Sequence, residues 1–552
     1  MTELVQASIP QPVRGRRHSR WPLLLLAFVL AVAFGCRLYW LVPPEAGLFY
    51  AQDADEGVYA TTAQLMLQGY LPYRDFFTPM PPLAIYLFTA VLRVFYHPWG
   101  SPTGLLALRY LSVGLGLLAV LAVFLTGKMI GGSSMGLLSA GILAVDGIVV
   151  AQDRRAMLES PTNFFSILAV LCYLHAMRQA GPGPGGRRRQ WLVAGAAAFC
   201  AAGLLVKGTA LVPPLLIGLT MLIRRRWREI GWFIVSFVLA YVLCAAIFLL
   251  SCPVDYLKQM YFFHMLRPWD GTAHPLARLQ EMWSYPWSWT TIRIALVGTA
   301  MMALIGRKAR NRDLWLVILA WTGLILLLLL SSRTYWATYF SQLAVPLSIL
   351  GGALLNRELD HTRSGLLGRL PLPSPRSWLL LQVAALVALL LIGSPQLVRQ
   401  YGATRAALEQ VKPHHLEISE YIRQNLPVDA PILTFETNYT FLSSRRPAMG
   451  SDGSFFIDSY GEMLYRNLGI PDSSLMDLLD AWVGQERIGA TEVFYRQPAQ
   501  EQVLDLFSRA PYVILDARAS KQLAPATSAF VQAHSQELLA SWPAELRLRT
   551  PE

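Results

Sequence analysis

The sequence contains few charged residues for its length. Only 15% of its 552 residues are charged, whereas 54% are hydrophobic, and a soluble domain carries about 25% charged residues. This composition excludes a soluble globular protein and indicates an integral membrane protein. The formal net charge of +12 is concentrated in short basic clusters between apolar runs, a pattern that sets membrane orientation rather than one that binds nucleic acid. We therefore expect no nucleic-acid partner.

Cysteines are equally scarce, and they form neither a disulfide framework nor a zinc-binding spacing. Four of the five fall within apolar runs. Cys36 is preceded by Ala33 where a lipoprotein cleavage box would have leucine, and the run continues to Pro43 without a convincing cleavage site. We therefore expect the first apolar run to remain as an anchor. The five are Cys36, Cys172, Cys200, Cys244 and Cys252.

The apolar runs predict roughly eleven membrane spans, each with its flanks near the 20 residues that cross a bilayer. Basic clusters before the first run and between later ones place those loops on the cytoplasmic side. Residues 81–97 are the exception, because as a crossing they would move every later basic cluster outside. Arg93 and His97 share a helix face there, so we interpret this segment as an interfacial helix on the outer leaflet. The predicted spans are 21–43, 104–126, 133–150, 161–178, 191–206, 208–223, 230–251, 289–305, 313–331, 337–355 and 377–393.

This topology divides the chain into three parts. Residues 1–20 are a basic cytoplasmic N-terminus, and 21–393 form the membrane module, with a first outer loop over 44–103. Residues 394–552 have mixed polarity, with a helical stretch LEISEYIRQNL and strand-like PILTFE and YVILD, and they predict an α/β domain. It has no glycine-rich phosphate loop and no obvious catalytic triad. Counting spans places it on the outer, extracytoplasmic side of a multi-pass protein of the cell membrane.

An acidic cluster begins the first outer loop, in the phrase DADEGVY. A carboxylate such as Asp55 can take the proton of an attacking hydroxyl, and burial beside Asp53 and Glu56 would raise its pKa toward a useful value. The alternative is a solvated acidic loop or a helix cap. Asp53 and Asp55 also have the D-x-D spacing of a divalent-metal site for nucleotide sugars, but no nucleotide-binding pattern surrounds them. We therefore expect that no cofactor is required, and that a divalent metal is doubtful.

Further polar residues fall on the predicted outer side. Glu159 begins a predicted helix, where helix capping or pairing with nearby arginines would also explain it. Lys207 lies at the tip of a hairpin, where it either extends to lipid headgroups or binds an anionic group. His264 with Arg267, and Arg333 with Tyr335, lie in later outer loops, where arginine and tyrosine can hold a phosphate and aromatic residues are also common at the interface.

The motifs DEGVY, GYLPYRDFF followed by PPL, LRYLSVGLGLL, MLESPTNFF and LLVKGTAL occur in an order that resembles the GT-C membrane glycosyltransferases. The resemblance covers about residues 20–350 and is to the group of protein O-mannosyltransferases and the lipid A aminoarabinose transferase. It implies an inverting transferase with a polyprenyl-monophosphate sugar donor. In that group Asp55 would match the catalytic aspartate of the first loop and Glu159 the acidic residue of the second.

The resemblance also implies roles for four other residues. Tyr59 falls on the aromatic position after the acidic pair. Lys207 is similar to a lysine that contacts donor phosphate, and His264 and Arg267 to donor-binding residues. One departure is clear, since this chain has Pro79-Met80 where the aminoarabinose transferases have Glu-Lys before Pro-Pro. A bound metal and lipid A modification are both made doubtful by it.

The sequence therefore predicts a polytopic α-helical membrane protein of GT-C type, with interfacial helices and a C-terminal α/β domain. Its expected reaction transfers a sugar from the lipid-phosphate donor to a lipid, glycan or protein acceptor, within a membrane-lipid environment. The alternatives are a transporter or flippase of a polyprenyl-linked sugar, and a non-catalytic scaffold. The catalytic candidates are Asp55 and Glu159; the donor-phosphate candidates are Lys207, His264, Arg267, Arg333 and Tyr335; the acceptor-pocket candidates are Asp53, Glu56, Tyr59, Tyr73 and Arg74.

Overall fold

A computed structural model gives the fold of the chain. It describes residues 20–39, 41, 53–179, 186–272, 274–284, 289–305, 311–355, parts of 377–391, 414–468 and 489–550. The predicted N-terminal segment 1–20 lies outside these residues except for Arg20, as does the predicted domain boundary at 393–394. The described chain forms a helical part followed by a smaller part built on a β-sheet, as the composition predicts.

The ten predicted spans up to residue 355 each overlap a helix, and the described parts of 377–391 are helical as well. Glycines bound the longest one, since Gly100 and Gly132 have φ of 82° and 87°, which L side chains rarely adopt. Helix α5 is followed after a bend of 65° by α6. The helices of this part are α1 Trp21–Leu38, α2 Ala54–Leu67, α3 Pro82–Trp99, α4 Ser101–Gly131, α5 Ser133–Val145, α6 Gly147–Asp153, α7 Glu159–Arg178, α8 Gly186–Leu204, α9 Val212–Ile223, α10 Trp227–Ser251, α11 Pro253–Leu257, α12 Phe263–Leu266, α13 Pro275–Ser284, α14 Trp289–Ile305, α15 Arg312–Ser331 and α16 Phe340–Gly352.

Fewer helices of the structure meet the length and composition of a membrane span than the eleven spans that the sequence predicts. Among the described residues six helices are long and apolar enough to cross a bilayer, or seven if the bent pair is one span. Three shorter apolar helices, Pro82–Tyr96, Gly208–Ile223 and Thr290–Ala303, accompany them. A polytopic helical membrane protein is thus confirmed, while the number of eleven spans stays a prediction.

The C-terminal part is the α/β domain that the sequence predicts. Its five strands are arranged in the order β4-β3-β5-β7-β6, in which β3 pairs in parallel with β4 and β5, and β7 is antiparallel to β5 and β6. The strands are β3 Pro431–Thr434, β4 Arg446–Pro447, β5 Tyr512–Leu515, β6 Ser535–Ser541 and β7 Ala544–Arg549, after two short paired strands of the membrane part, β1 Asp270–Gly271 and β2 Thr334–Tyr335. The helices are α17 His414–Asn425, α18 Asn438–Ser443, α19 Ser459–Asn467, α20 Ala490–Phe494, α21 Gln497–Arg509, α22 Ala519–Gln522 and α23 Pro525–Ala533.

The predicted strand motifs PILTFE and YVILD form β3 and β5, the two parallel neighbours at the centre of this sheet. Leu433 and Val513 are both fully buried and are directly opposite in the ladder. The carboxyl ends of parallel strands lie at one edge of a sheet, so the residues that follow β3 and β5 are brought together. Those residues are Glu436 and Asp516 with Arg518.

The C-terminal domain packs directly on the loops of the membrane part that the sequence predicts to be on the outer side. The amide of Phe455 donates to the Asp75 carbonyl at 3.1 Å, and the Tyr460 hydroxyl donates to Asp270 Oδ2 at 2.7 Å. The Phe77 ring contacts Tyr465, with centroids 4.9 Å apart. The first outer loop and the C-terminal domain therefore lie on the same side of the membrane, as the count of spans predicts.

Candidate active site

The acidic cluster forms the start of α2, and two of its three carboxylates have structural partners there. Asp53 is the N-cap residue, and its Oδ1 accepts from the amide of Asp55 at 3.2 Å. The Asp53 amide in turn donates to Glu56 Oε2 at 3.2 Å, which completes a capping box. The other oxygen of Asp53 faces Arg155 at 3.3 Å. The helix-cap alternative thus applies to Asp53 and Glu56, while Asp55 is outside the cap.

Glu56 lies in the protein interior rather than in an open pocket. Its carboxylate forms a two-point ion pair with Arg109, at 2.8 and 2.7 Å, and both side chains are fully buried. The amide of Ala156 donates to the same carboxylate at 2.7 Å. Burial raises the pKa of Glu56, but the Arg109 guanidinium outweighs it and the pKa is lowered. Because these partners use both oxygens, the geometry does not bring Glu56 to the acceptor pocket for which it was predicted.

Asp55 faces a group of charges from four separate segments. Tyr59, one turn along α2, has its hydroxyl 3.5 Å from Asp55 Oδ2. Burial raises the pKa of Asp55; Arg518 and Lys207 oppose this, and Asp458 and Glu159 add to it. A carboxylate with a raised pKa is suited to accept a proton near neutral pH. We name this group, with Tyr339 and Arg267, the outer site.

Glu159 and Lys207 form one side of the outer site. The Lys207 ammonium donates to Glu159 Oε1 at 2.5 Å and lies 4.5 Å from the centre of the Tyr339 ring. Glu159 is only 2% exposed, and its other oxygen, Oε2, is buried without a hydrogen-bond partner among the described residues. The lysine therefore faces the site rather than lipid headgroups, and a carboxylate fixes its position.

Arg267 and His264 form the adjacent side. Arg267 pairs with Asp270 at 3.0 Å, and its guanidinium lies 5.5 Å from the centre of the Tyr460 ring. Burial lowers the pKa of Arg267, but electrostatic interactions with Tyr339, Asp270 and other groups outweigh it, so the pKa is raised. Arg267 therefore stays a cation. His264 Nε2 lies 3.3 Å from the carbonyl of Pro79. The predicted donor-binding residues of this loop thus lie close to Pro79-Met80, where the sequence differs from the aminoarabinose transferases.

Four predicted site residues have other surroundings. The Tyr73 hydroxyl donates to the Met80 carbonyl, and its ring lies in a buried aromatic cluster with Phe248. Arg74 is exposed and paired with its neighbour Asp75. The remaining two are Arg333, whose Nη1 donates to the Met265 carbonyl at 3.2 Å, and Tyr335, which is buried under the Arg278 guanidinium.

The strand pair β1–β2 connects the last two residues to the site. It joins the segment after Arg333 to the loop that carries Arg267. Contact of these four residues with substrate stays a prediction, and the described geometry favours a structural role for each.

A metal fits the D-x-D pair poorly. Asp53 Oδ1 and Oδ2 are both used by protein donors, which leaves Asp55 as the only open carboxylate of the pair. The described residues contain no group of three or more His, Cys, Asp or Glu side chains that could hold a metal ion. A metal-independent site stays a prediction on this basis.

Sequence reasoning missed the contribution of the C-terminal domain. Asn438 Nδ2 donates to the carbonyl of Asp53 at 3.1 Å and to Glu436 Oε1 at 2.9 Å. Asp458 and Arg518 both act electrostatically on Asp55. The available signal was the position of Glu436 and of the Asp-Ala-Arg sequence 516–518, each at the carboxyl end of a predicted strand of an α/β domain, where ligands commonly bind.

Comparison with known proteins identifies relatives of this architecture. Residues 100–267 match the family described as dolichyl-phosphate-mannose-protein mannosyltransferase. The fold is similar to the crystal structure of ArnT from Cupriavidus metallidurans bound to undecaprenyl phosphate, at 15% identity and a TM-score of 0.62, over 96% of this chain and 99% of that one. No curated protein matches the sequence.

A second similar fold is the oligosaccharyltransferase of Archaeoglobus fulgidus in its apo form. The identity is 12% and the TM-score 0.54, over 90% of this chain and 70% of that one. The same archaeal enzyme in complex with an inhibitory peptide and a dolichol-phosphate matches at 13% identity and a TM-score of 0.52, over 90% of this chain and 69% of that one. The resemblance seen in the sequence is therefore confirmed at the level of the fold: the chain has the GT-C fold of ArnT and of the archaeal oligosaccharyltransferase.

Proposed function

We propose that this protein is an inverting membrane glycosyltransferase that moves a sugar from a polyprenyl-monophosphate donor to an extracytoplasmic acceptor. The observation that carries the proposal is Asp55, a carboxylate outside the helix cap that faces Lys207 across the outer site. The matched family and the lipid-phosphate ligands of the similar structures support this donor class.

Asp55 is the proposed base. It takes the proton of the acceptor hydroxyl while the acceptor oxygen forms a bond to the anomeric carbon. The bond between that carbon and the phosphate oxygen breaks, and polyprenyl phosphate leaves with the electron pair. One displacement inverts the anomeric configuration, and the proton on Asp55 then passes to water.

Lys207 and Arg267 are the proposed phosphate-binding cations. Their charges compensate the negative charge that develops on the leaving phosphate, and loss of one such donor typically costs about 3–4 kcal/mol. Glu159 holds the Lys207 ammonium in place at 2.5 Å. His264 adds a polar group on the same side. The reaction needs no nucleotide, and we propose no metal for it.

The experiment is release of free polyprenyl phosphate from a panel of polyprenyl-monophosphate hexoses and pentoses by purified protein, with envelope extract as acceptor. Asp55→Asn should abolish release and leave donor binding nearly unchanged. Asp255→Asn is the matched control, because Asp255 is exposed at the start of α11 and belongs to no part of the outer site.

Full activity of Asp55→Asn would refute the assignment of the base. Absence of release from every donor would refute the transferase. Movement of the intact lipid-linked sugar across vesicles, under the same conditions, would then identify the flippase alternative.

A further inference from the structure

The C-terminal domain approaches helix α2 most tightly near the start of that helix. A Cβ on Gly57, in the first turn and a half of α2, would lie 2.4 Å from the backbone nitrogen of Asn438. The Asn438 side chain bonds to the carbonyl of Asp53, the cap of the same helix. The domain is thus fixed against the turn of α2 that carries Asp55.

The sheet of the domain brings Arg518 to this contact. Arg518 follows β5, and Asp516 Oδ1 accepts the amides of Arg518 and Ala519 at 2.9 and 2.8 Å. This turn defines the backbone of Arg518 at the carboxyl edge of the sheet. The parallel neighbour β3 places Glu436 at the same edge, and Glu436 is in turn held by His415 at 2.7 Å.

The Arg518 side chain has no structural partner that would explain it. Within the described ranges its guanidinium makes no hydrogen bond and no ion pair, although it is half-buried. The carboxylates that act on it most strongly are Asp55, then Glu436 and Asp458. A half-buried arginine among carboxylates, with no hydrogen bond or ion pair to any of them in the described residues, is an unusual arrangement for a purely structural residue.

We propose that the C-terminal domain completes the active site by supplying Arg518 as a positioning residue that stabilises the ionised carboxylate of Asp55. This inference rests on the proposed function in one respect, namely that Asp55 is the base of the reaction. The other groups that face Asp55 are its helix neighbours Asp53 and Tyr59, the membrane-part residues Glu159 and Lys207, and Asp458 of the C-terminal domain.

The sign of the effect follows from charge. An opposite charge close to a carboxylate favours its ionised form, and its removal raises the pKa by about 1 unit or more. A base must be deprotonated to act, so Arg518→Gln should move the acid limb of kcat/KM to higher pH by about 1 unit. Well below that limb the variant should be about tenfold slower, and at high pH it should approach the parent.

The test compares Arg518→Gln with Arg518→Lys and with Arg509→Gln. The lysine variant keeps the charge and should restore most of the parent profile. Arg509 is exposed in the same domain and pairs with Asp505, so Arg509→Gln is the matched control for loss of one positive charge. A loss of activity in Arg518→Gln that is equal at every pH, or no change at all, would overturn the proposal.

A second measurement is independent of turnover. Infrared titration of the carboxyl band of the full-length protein, with Asp55→Asn to assign the signal, gives the protonation of Asp55 directly. In Arg518→Gln the midpoint should move to higher pH by about 1 unit. An unmoved midpoint overturns the role of Arg518 whether or not the protein releases polyprenyl phosphate, whereas a moved midpoint in a protein without release overturns only the proposed function.

Discussion

Gly57→Ala tests whether the outer site depends on the docking of the C-terminal domain. The new Cβ would lie 2.4 Å from the backbone nitrogen of Asn438 and 2.7 Å from its Oδ1. A side chain can rotate away, but a backbone nitrogen cannot. Helix α18 must therefore move by roughly 1 Å to reach an ordinary contact of 3.4 Å.

The cost has two parts. Overpacking at a tight contact costs about 1–3 kcal/mol, and loss of the hydrogen bond from Asn438 to the Asp53 carbonyl adds about 0.5–1.5 kcal/mol. We expect docking to weaken by roughly 1.5–4.5 kcal/mol in total. Because Arg518 moves with the domain, activity should fall together with docking.

The assay combines limited proteolysis of the C-terminal domain in detergent with polyprenyl phosphate release. Gly114→Ala is the control, since no atom lies within 4 Å of a Cβ at Gly114 and a helix interior favours alanine over glycine by about 1 kcal/mol. Adding Asn438→Ala to Gly57→Ala should not rescue docking, because the clash with the backbone nitrogen remains. Unchanged proteolysis and activity in Gly57→Ala, or full rescue by Asn438→Ala, would refute the reasoning.

Three further predictions concern the charges around this contact. Arg109→Ala should destabilise the protein by about 3–5 kcal/mol in thermal unfolding, because it leaves Glu56 charged and buried without its partner; the loss should shrink as pH falls and Glu56 becomes protonated, and a loss unaffected by pH would contradict this. Lys207→Ala should raise the donor KM at least tenfold, since a hydrogen bond to a charged group contributes about 1.5–3 kcal/mol, and Glu159→Gln should give a smaller rise; equal donor KM values for both variants and the parent would exclude Lys207 from phosphate binding. The acid limb of kcat/KM for the parent should lie above the ordinary aspartate pKa of about 3.9, because burial raises the pKa of Asp55, and an acid limb at or below that value would argue against Asp55 as the base.

The residues that sequence reasoning found are those whose chemistry is visible locally. Asp55, Glu159, Lys207 and Arg267 are charged residues next to apolar runs, where polar groups are costly and usually functional. The structure brings all four to one site. Motif order and the position of loops on one side of the membrane were sufficient for this result.

The surroundings that sequence reasoning did not predict depend on partners far away in the chain. Glu56 belongs to the same acidic motif as Asp55, but it is held in a buried ion pair by Arg109, 53 residues later. Arg518 belongs to the site only because the parallel pairing of β3 and β5 directs one edge of the sheet toward α2. Neither long-range pairing leaves a periodic signal in the sequence, so composition and spacing could not predict them.

The prediction that residues 81–97 lie on the membrane surface is supported by contacts at both ends of α3. Before this helix the Asp75 carbonyl accepts from Phe455, and after it the Ser101 hydroxyl donates to the Leu442 carbonyl at 3.0 Å. Helix α3 has 18 residues and is therefore about 27 Å long, close to the thickness of the hydrocarbon core. A crossing helix would place its ends on opposite faces of the bilayer, yet one polar domain contacts the flanks of both ends.

Cysteine labelling would test this arrangement in intact vesicles. Arg74 lies before α3 and Arg93 in its C-terminal half, and both are exposed. Single Arg74→Cys and Arg93→Cys variants, in a background without the five native cysteines, should therefore react with an impermeant thiol reagent from the same side. Reaction from opposite sides would make α3 a span. An odd number of spans would then separate Asp55 from the C-terminal domain, and the domain could reach the outer site only if another predicted span failed to cross. If both cysteines react from one side, α3 is not a span, and the ten predicted spans after it return the chain to the side of Asp55. The direct contact between Asn438 and Asp53 requires such an even number.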